Sequence, residues 1–211
     1  MPLGPGDSAA AKQRRIPKGD LRKAAIIKAA MTIFARDGFA GASLSNVAKV
    51  AGLSTVGLLH HFPNKLALLQ AVLKHRDEYV TRRLREADQD ATLESFMSFL
   101  KLVFEFSIED ASVSQALIII NAESLSVTHP ANLWFCERFN IVHAHLNDHI
   151  TRLVQAGEIR ADVDVKQVAL EVVSMMDGMQ IQWLRSSCTL QIEAGFTRFL
   201  QRLELDLARP L

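Results

Sequence analysis

Residues 43–65 read SLSNVAKVAGLSTVGLLHHFPNK, and this run leaves the chain few ways to fold. Helix starts and stops follow one another at short, regular intervals. Ser43 suits an N-cap, and behind it Val47, Ala48 and Ala51 fall on one face of a short helix. Gly52 breaks that helix. Ser54 caps a second, predicted to run to about His61. Pro63 stops the second, and Asn64 caps the next. Two short helices joined through Gly52-Leu53-Ser54 follow helix-turn-helix grammar. Val47, Ala48, Ala51, Leu53 and Leu58 are small or apolar enough to let such helices cross closely. Ser54, Thr55 and Gly57 leave the start of the second helix small and polar, as an approach to base edges and phosphates requires. A plain helical hairpin is the alternative at this point.

Helical periodicity extends to both sides. Asp20 is predicted to cap a helix beginning at Leu21, with Ile27, Met31 and Phe34 as its apolar stripe and Gly38 as its left-handed end. A fourth helix is predicted from Lys65 to about Glu86, with Leu66, Leu69, Val72 and Leu73 inward. Further helices are expected near 92–108, 111–126, 130–156, 164–186 and 189–206. They are separated at Thr128-His129-Pro130, Ala156-Gly157 and Ser186-Ser187-Cys188. No alternating β-branched run bounded by turns occurs, so the expected class is all-α. The predicted units are a flexible basic arm over 1–19, a helix-turn-helix unit over 20–65, a connecting helix over 66–90 and a helical body over 91–211.

Composition narrows the class further. The 211 residues are 49% hydrophobic with a net charge of +1, which excludes a disordered chain. Cys136 and Cys188 are far apart and lack metal-type spacing, so neither a disulfide scaffold nor a cysteine metal site is expected. Residues 1–11 hold no apolar signal core, and the purest apolar run, 116–120, is far too short for a membrane span. A cytoplasmic protein with no membrane partner is expected. The total charge conceals a split. Residues 1–65 carry ten basic and three acidic side chains, a balance of +7, against −6 for the remainder. A basic head on an acidic body hints at nucleic acid, with a merely solvated basic tail as the alternative.

The head also carries a family resemblance. Phe34-Ala35-Arg36-Asp37-Gly38-Phe39, Ser43 followed by Val47-Ala48, Ala51-Gly52-Leu53-Ser54, and His61-Phe62-Pro63-Asn64-Lys65 with Leu68-Leu69 together resemble the DNA-binding domain of TetR/AcrR-family regulators. Met176-Asp177-Gly178-Met179-Gln180-Ile181-Gln182-Trp183-Leu184 is similar to a segment in the penultimate helix of many such proteins. The resemblance implies about nine helices, three in a DNA-binding head and the rest in a ligand-binding, dimerising body. It implies a homodimer on a pseudo-palindromic double-stranded operator, usually repressing, and released by a small-molecule effector; no other cofactor is expected.

By the same resemblance, Ser43 and Leu44 open the second helix, where a phosphate contact is common. Ser54, Thr55, Val56 and Gly57 open the recognition helix and face base edges. His60 and His61 touch the DNA backbone at its end, and Lys65 meets a phosphate. Two positions depart from the pattern. Leu59 stands where a tyrosine often contacts phosphate, which leucine cannot do. Val56 stands where glycine is common, and its bulk suits a thymine methyl.

Elsewhere Trp134 and Phe135, with Phe104, Met175, Met176, Met179 and Trp183, offer a soft apolar lining for a ligand, though the same residues are ordinary core material. Asp177 in that apolar setting needs a partner or a ligand to orient. His145 and His149 sit i, i+4, a spacing that can hold a metal. No Glu or Cys shares their face one turn earlier, so no metal site is expected. No phosphate loop, nucleophile elbow or H-E-x-x-H motif supports an enzyme. The last two helices are expected to form the dimer surface through Val168, Val172, Met175 and Met179 on one and Phe196, Phe199, Leu200 and Leu203 on the other, unless these faces pack within one subunit. A helical enzyme or carrier of apolar molecules with incidental DNA binding, and a pure protein-interaction module, are the competing classes.

Overall fold

The structure, a computed structural model, describes residues 18–84 and 91–208. These form nine helices: α1 (Lys18–Gly41), α2 (Leu44–Val50), α3 (Thr55–Leu59), α4 (Lys65–Leu84), α5 (Leu93–Ile108), α6 (Ala111–Glu123), α7 (Asn132–Ala156), α8 (Val165–Arg185) and α9 (Ile192–Leu207). No strand occurs among the described residues. Most of the predicted arm, residues 1–17, and residues 85–90 of the predicted connecting helix lie outside the described residues.

Three local expectations needed correction. Helix α1 is already helical at Lys18, which leaves Asp20 in its first turn, where a carboxylate favours the positive helix end, rather than at the cap. Its buried face runs through Ile26, Ala30, Ile33 and Phe34, each at most 1% exposed, while Ile27 is only half-buried. On α4, Leu66 points to solvent and Leu68 takes its place beside Leu69, Val72 and Leu73. The inward stripe is therefore offset from the one read off the sequence. A third correction shortens the later helices. Ser124 ends α6 by turning its hydroxyl onto the Asn121 carbonyl at 2.7 Å, and Asn132 then donates to the Ser124 carbonyl at 2.8 Å. Ser187 and Cys188 both take positive φ, which delays α9 to Ile192.

Two cores result. The head core joins α1 to α4 and also takes in Ala116, Ile120 and Ala131, so α6 packs on α1 although it follows the body's first helix in the chain. The body core joins α5, α7, α8 and α9 around Phe96, Leu100, Phe104, Ile150, Val172 and Phe196. Phe104, 1% exposed, stacks on Phe196 with ring centroids 4.0 Å apart.

Gly38 sets the join between head and body. Its φ of 69° fits the predicted need for glycine, but its ψ of 177° is extended rather than left-handed helical. The chain kinks there and turns its next two amides toward α6. Glu123 accepts the Phe39 N–H at 2.7 Å and the Ala40 N–H at 3.4 Å. Gln115 donates to the Ala35 carbonyl at 3.0 Å, and the Phe39 ring meets His129 edge-on at 5.2 Å.

Candidate DNA interface and effector cavity

The short helices of the head are held by the caps that the residue types predicted. Ser43 Oγ accepts the Asn46 N–H at 3.2 Å, and Ser54 Oγ accepts the Gly57 N–H at 3.0 Å. Gly52 has φ 66°, and after it Leu53 returns its N–H to the Ala48 carbonyl at 2.9 Å. Val47, Ala48 and Leu58, each at most 1% exposed, pin α2 and α3 to α1 and α4. That pinning leaves Ser54, Thr55 and Val56 on the outer face of α3, with Val56 65% exposed. Gly57 is half-buried, and a Cβ there would stand 3.2 Å from Ser54 Oγ, so glycine keeps the cap tight. Ser43 and Leu44 are half-buried at the start of α2. Helix α3 ends at Leu59, earlier than expected, which puts exposed His60 and half-buried His61 in the turn that follows.

Lys65 is placed otherwise than the resemblance implied. Its ammonium donates to the Phe39, Ala42 and Ala40 carbonyls at 2.7, 3.0 and 3.2 Å, and lies 4.6 Å from the centre of the Phe39 ring. An ammonium has three donors, and all three are engaged at the end of α1. The group closes a helix terminus instead of reaching outward for a phosphate. Lys65→Met keeps the stem and removes the donors. It is expected to lower stability by about 1–3 kcal/mol in urea denaturation, because part-buried carbonyls lose their partners. It should leave the salt dependence of DNA binding unchanged; a drop of about one in the log–log slope would restore the phosphate role.

The body contains a cavity of about 280 Å³ between α4, α5, α6, α7 and α8. It adjoins a second chamber of about 470 Å³, with which it shares Val80, Val103, Arg138, Val142, Val173 and Met176. Of the residues proposed from sequence, Trp134, Phe135, Met176 and Asp177 line the first chamber. The others do not. Phe104 is locked in the core against Phe196. Met175 and Met179 face a groove between α8 and α9 beside Phe199 and Arg202. Trp183 packs against the body core away from both chambers. His149 is buried against the rings of Phe96 and Phe99, so it is a core residue, while His145 borders the second chamber. Among the described residues no group of three metal-ligating side chains occurs.

The polar walls were missed. Arg76, Asn121, Arg138, His143 and Gln180 all reach the first chamber. The signal available was the spacing on α7, where Trp134, Arg138 and Val142, and Phe135, Phe139 and His143, recur every fourth residue. Asp77 binds two members of this wall, accepting from Arg138 Nη1 at 2.7 Å and Trp134 Nε1 at 3.0 Å. Burial raises the pKa of the Asp177 carboxyl, and His143 partly offsets this. Burial lowers that of Arg76, and the like charge of Arg138 adds to the effect.

An exposed, capped second helix on a basic head, joined to a helical body with an internal cavity, defines a helix-turn-helix DNA-binding regulator. Residues 26–72 match the family model described as bacterial regulatory proteins, tetR family. The chain is 28% identical over 195 residues to the HTH-type transcriptional regulator BetI of Vibrio parahaemolyticus, covering 89% of this chain and 92% of that protein. In fold it is similar to a TetR transcriptional regulator from Chloroflexus aurantiacus, with TM-score 0.72 and 24% identity over 92% of this chain and 100% of that one. It is similar also to FadR from Bacillus subtilis in complex with stearoyl-CoA, with TM-score 0.69 and 21% identity over 86% of this chain and 96% of that one. The chain thus resembles the TetR-family transcriptional regulators, in sequence over residues 26–72 and in fold over most of its length. No helix among the described residues is long and apolar enough to cross a membrane.

Proposed function

We propose that the protein is a homodimeric repressor that holds a pseudo-palindromic operator and releases it when a small molecule enters the body. The observation that carries this reading is the dual placement of α4. Leu68, Leu69, Val72 and Leu73 on this helix belong to the head core, and Arg76 and Val80 border the cavity. A ligand that favours one position of α4 thereby favours one spacing of the recognition helices, which must match half-sites about 34–36 Å apart. Thr55 and Val56 are the base-reading side chains of this proposal, with Ser43, Leu44, Ser54, Gly57, His60 and His61 around them. An in-vitro selection from random duplexes tests it. A two-fold symmetric site whose affinity falls steeply with salt is expected, and recovery of no preferred sequence would overturn the reading.

The dimer is assigned to the outer face of α8 and α9. Val168, Val172 and Phe196, expected at this surface, are buried inside the subunit instead. Met175, Gly178, Met179 and Gln182 on α8, with Phe199 and Arg202 on α9, line the groove that remains open. A side chain at Gly178 meets nothing within 4 Å in the isolated subunit. Gly178→Arg therefore leaves the fold unstrained and fills the groove. Sedimentation is expected to show a folded monomer with operator affinity reduced at least tenfold, and a dimer of unchanged strength would move the interface elsewhere.

A further inference from the structure

Arg76 stands on α4, where it lines the first chamber and also a cavity of about 340 Å³ beside Tyr79 and Glu109. Two carboxylates are near enough to influence it, and both are engaged. Asp77 accepts from Arg138 through one oxygen and from Trp134 through the other. Glu109 accepts the Tyr79 hydroxyl. Across the chamber stands Asp177, with His143 near enough to favour its charged form. Among the described residues Arg76 takes part in no hydrogen bond and no ion pair within 4 Å, and its contact is the Tyr79 ring, 5.8 Å from guanidinium carbon to centroid. Asp77 is bound to Arg138, and Arg76 is left with Asp77 and Glu109 only as more distant counter-charges.

A guanidinium stays ionised in proteins and presents a planar fork of donors. Held half-buried and without an acceptor, it favours any anion that can supply two oxygens in one plane. The chamber's own carboxylate, Asp177, stands on α8 across from Arg76, and Phe106, Leu117, Phe135 and Phe139 make much of the remaining wall apolar. The second chamber continues through Val80, Phe99, Leu100 and Val172.

We propose that Arg76 anchors an anionic effector: a carboxylate on an apolar body, with the carboxylate paired to the Arg76 fork and the body lying along the two chambers. This deepens the ligand-responsive reading above and rests on it.

Decanoate, 1-decanol and decylamine, each below its aggregation limit, test the assignment with the full-length chain. Binding is read from tryptophan fluorescence, because Trp134 borders the chamber, and from the thermal unfolding midpoint. Decanoate is expected to bind at least tenfold more tightly than decanol, and decylamine not at all. Arg76→Gln should weaken decanoate by about tenfold or more and leave decanol unchanged. Arg76→Lys, which keeps the charge and loses the fork, should fall between the two, and it carries the test if the glutamine variant folds poorly. Equal affinities for decanoate and decanol, decanoate binding indifferent to both substitutions, or no decanoate binding would each overturn the proposal. The selected operator separates this outcome from the underlying reading. Decanoate held through Arg76 without loss of operator affinity supports the anchor and refutes ligand-controlled release. Operator release by decanol that ignores Arg76 refutes the anchor and leaves ligand control standing.

Discussion

Gly38→Ala is expected to cost about 3–5 kcal/mol, a large part of the 5–15 kcal/mol that holds a typical domain together. Two separate penalties combine. The pair φ 69°, ψ 177° lies in a region open in practice only to glycine. An added Cβ would also collide with the Glu123 carboxylate. To make room, Glu123 must leave the Phe39 and Ala40 amides, and those charge-assisted bonds are lost as well. Urea denaturation measures the total. A double-mutant cycle separates its parts, because Glu123→Ala removes the object of the collision. The double variant should be clearly less destabilised than the sum of the singles, leaving the backbone strain. A loss below about 1 kcal/mol for Gly38→Ala would show that the kink is not required.

Phe104→Ala is expected to be comparably severe, at about 3–5 kcal/mol, for a different reason. The ring is 1% exposed and stacks on Phe196 in the middle of the body core, so its loss opens a void that neighbouring helices fill only in part. This separates a structural phenylalanine from a ligand-contacting one. Phe104→Leu, which keeps most of the volume, should recover most of the stability and bind an apolar probe such as decanol as the parent does. Weakened probe binding at nearly full stability would return Phe104 to the cavity wall.

These cases mark where sequence reading succeeds and where it stops. Caps are local events, decided by one side chain and an amide three residues on. Ser43, Ser54 and Asn64 were therefore legible, and each accepts its expected N–H. Gly38 was legible as a position needing positive φ, because few other residues serve there. Which way a helix face turns is not local. Met175 and Met179 face the outer groove, while Met176 and Asp177, one and two positions away, face the chamber. All are plausible pocket residues by type, and only the packing of α8 between α7 and α9 sorts them. The placement of Lys65 was not legible for a related reason. A basic residue at a helix start beside a DNA-binding turn suggests a phosphate, and nothing nearby in sequence indicates that three carbonyls more than 20 residues earlier take its donors. Arg76 shows the converse. Its neighbour Asp77 looks like a ready partner, yet Asp77 is consumed by residues about 60 positions later.

The attachment of α6 to α1 redraws the cooperative units of this chain. Ala116 and Ile120 are fully buried in the head core, and Gln115 and Glu123 bind the last turns of α1 at both ends of α6. A helix that the chain order assigns to the body is therefore thermodynamically a member of the head. Its amides are expected to exchange together with those of α1 rather than with those of α5 or α7, which hydrogen exchange would show. Part of the head core therefore lies on the far side of residue 90 in the chain.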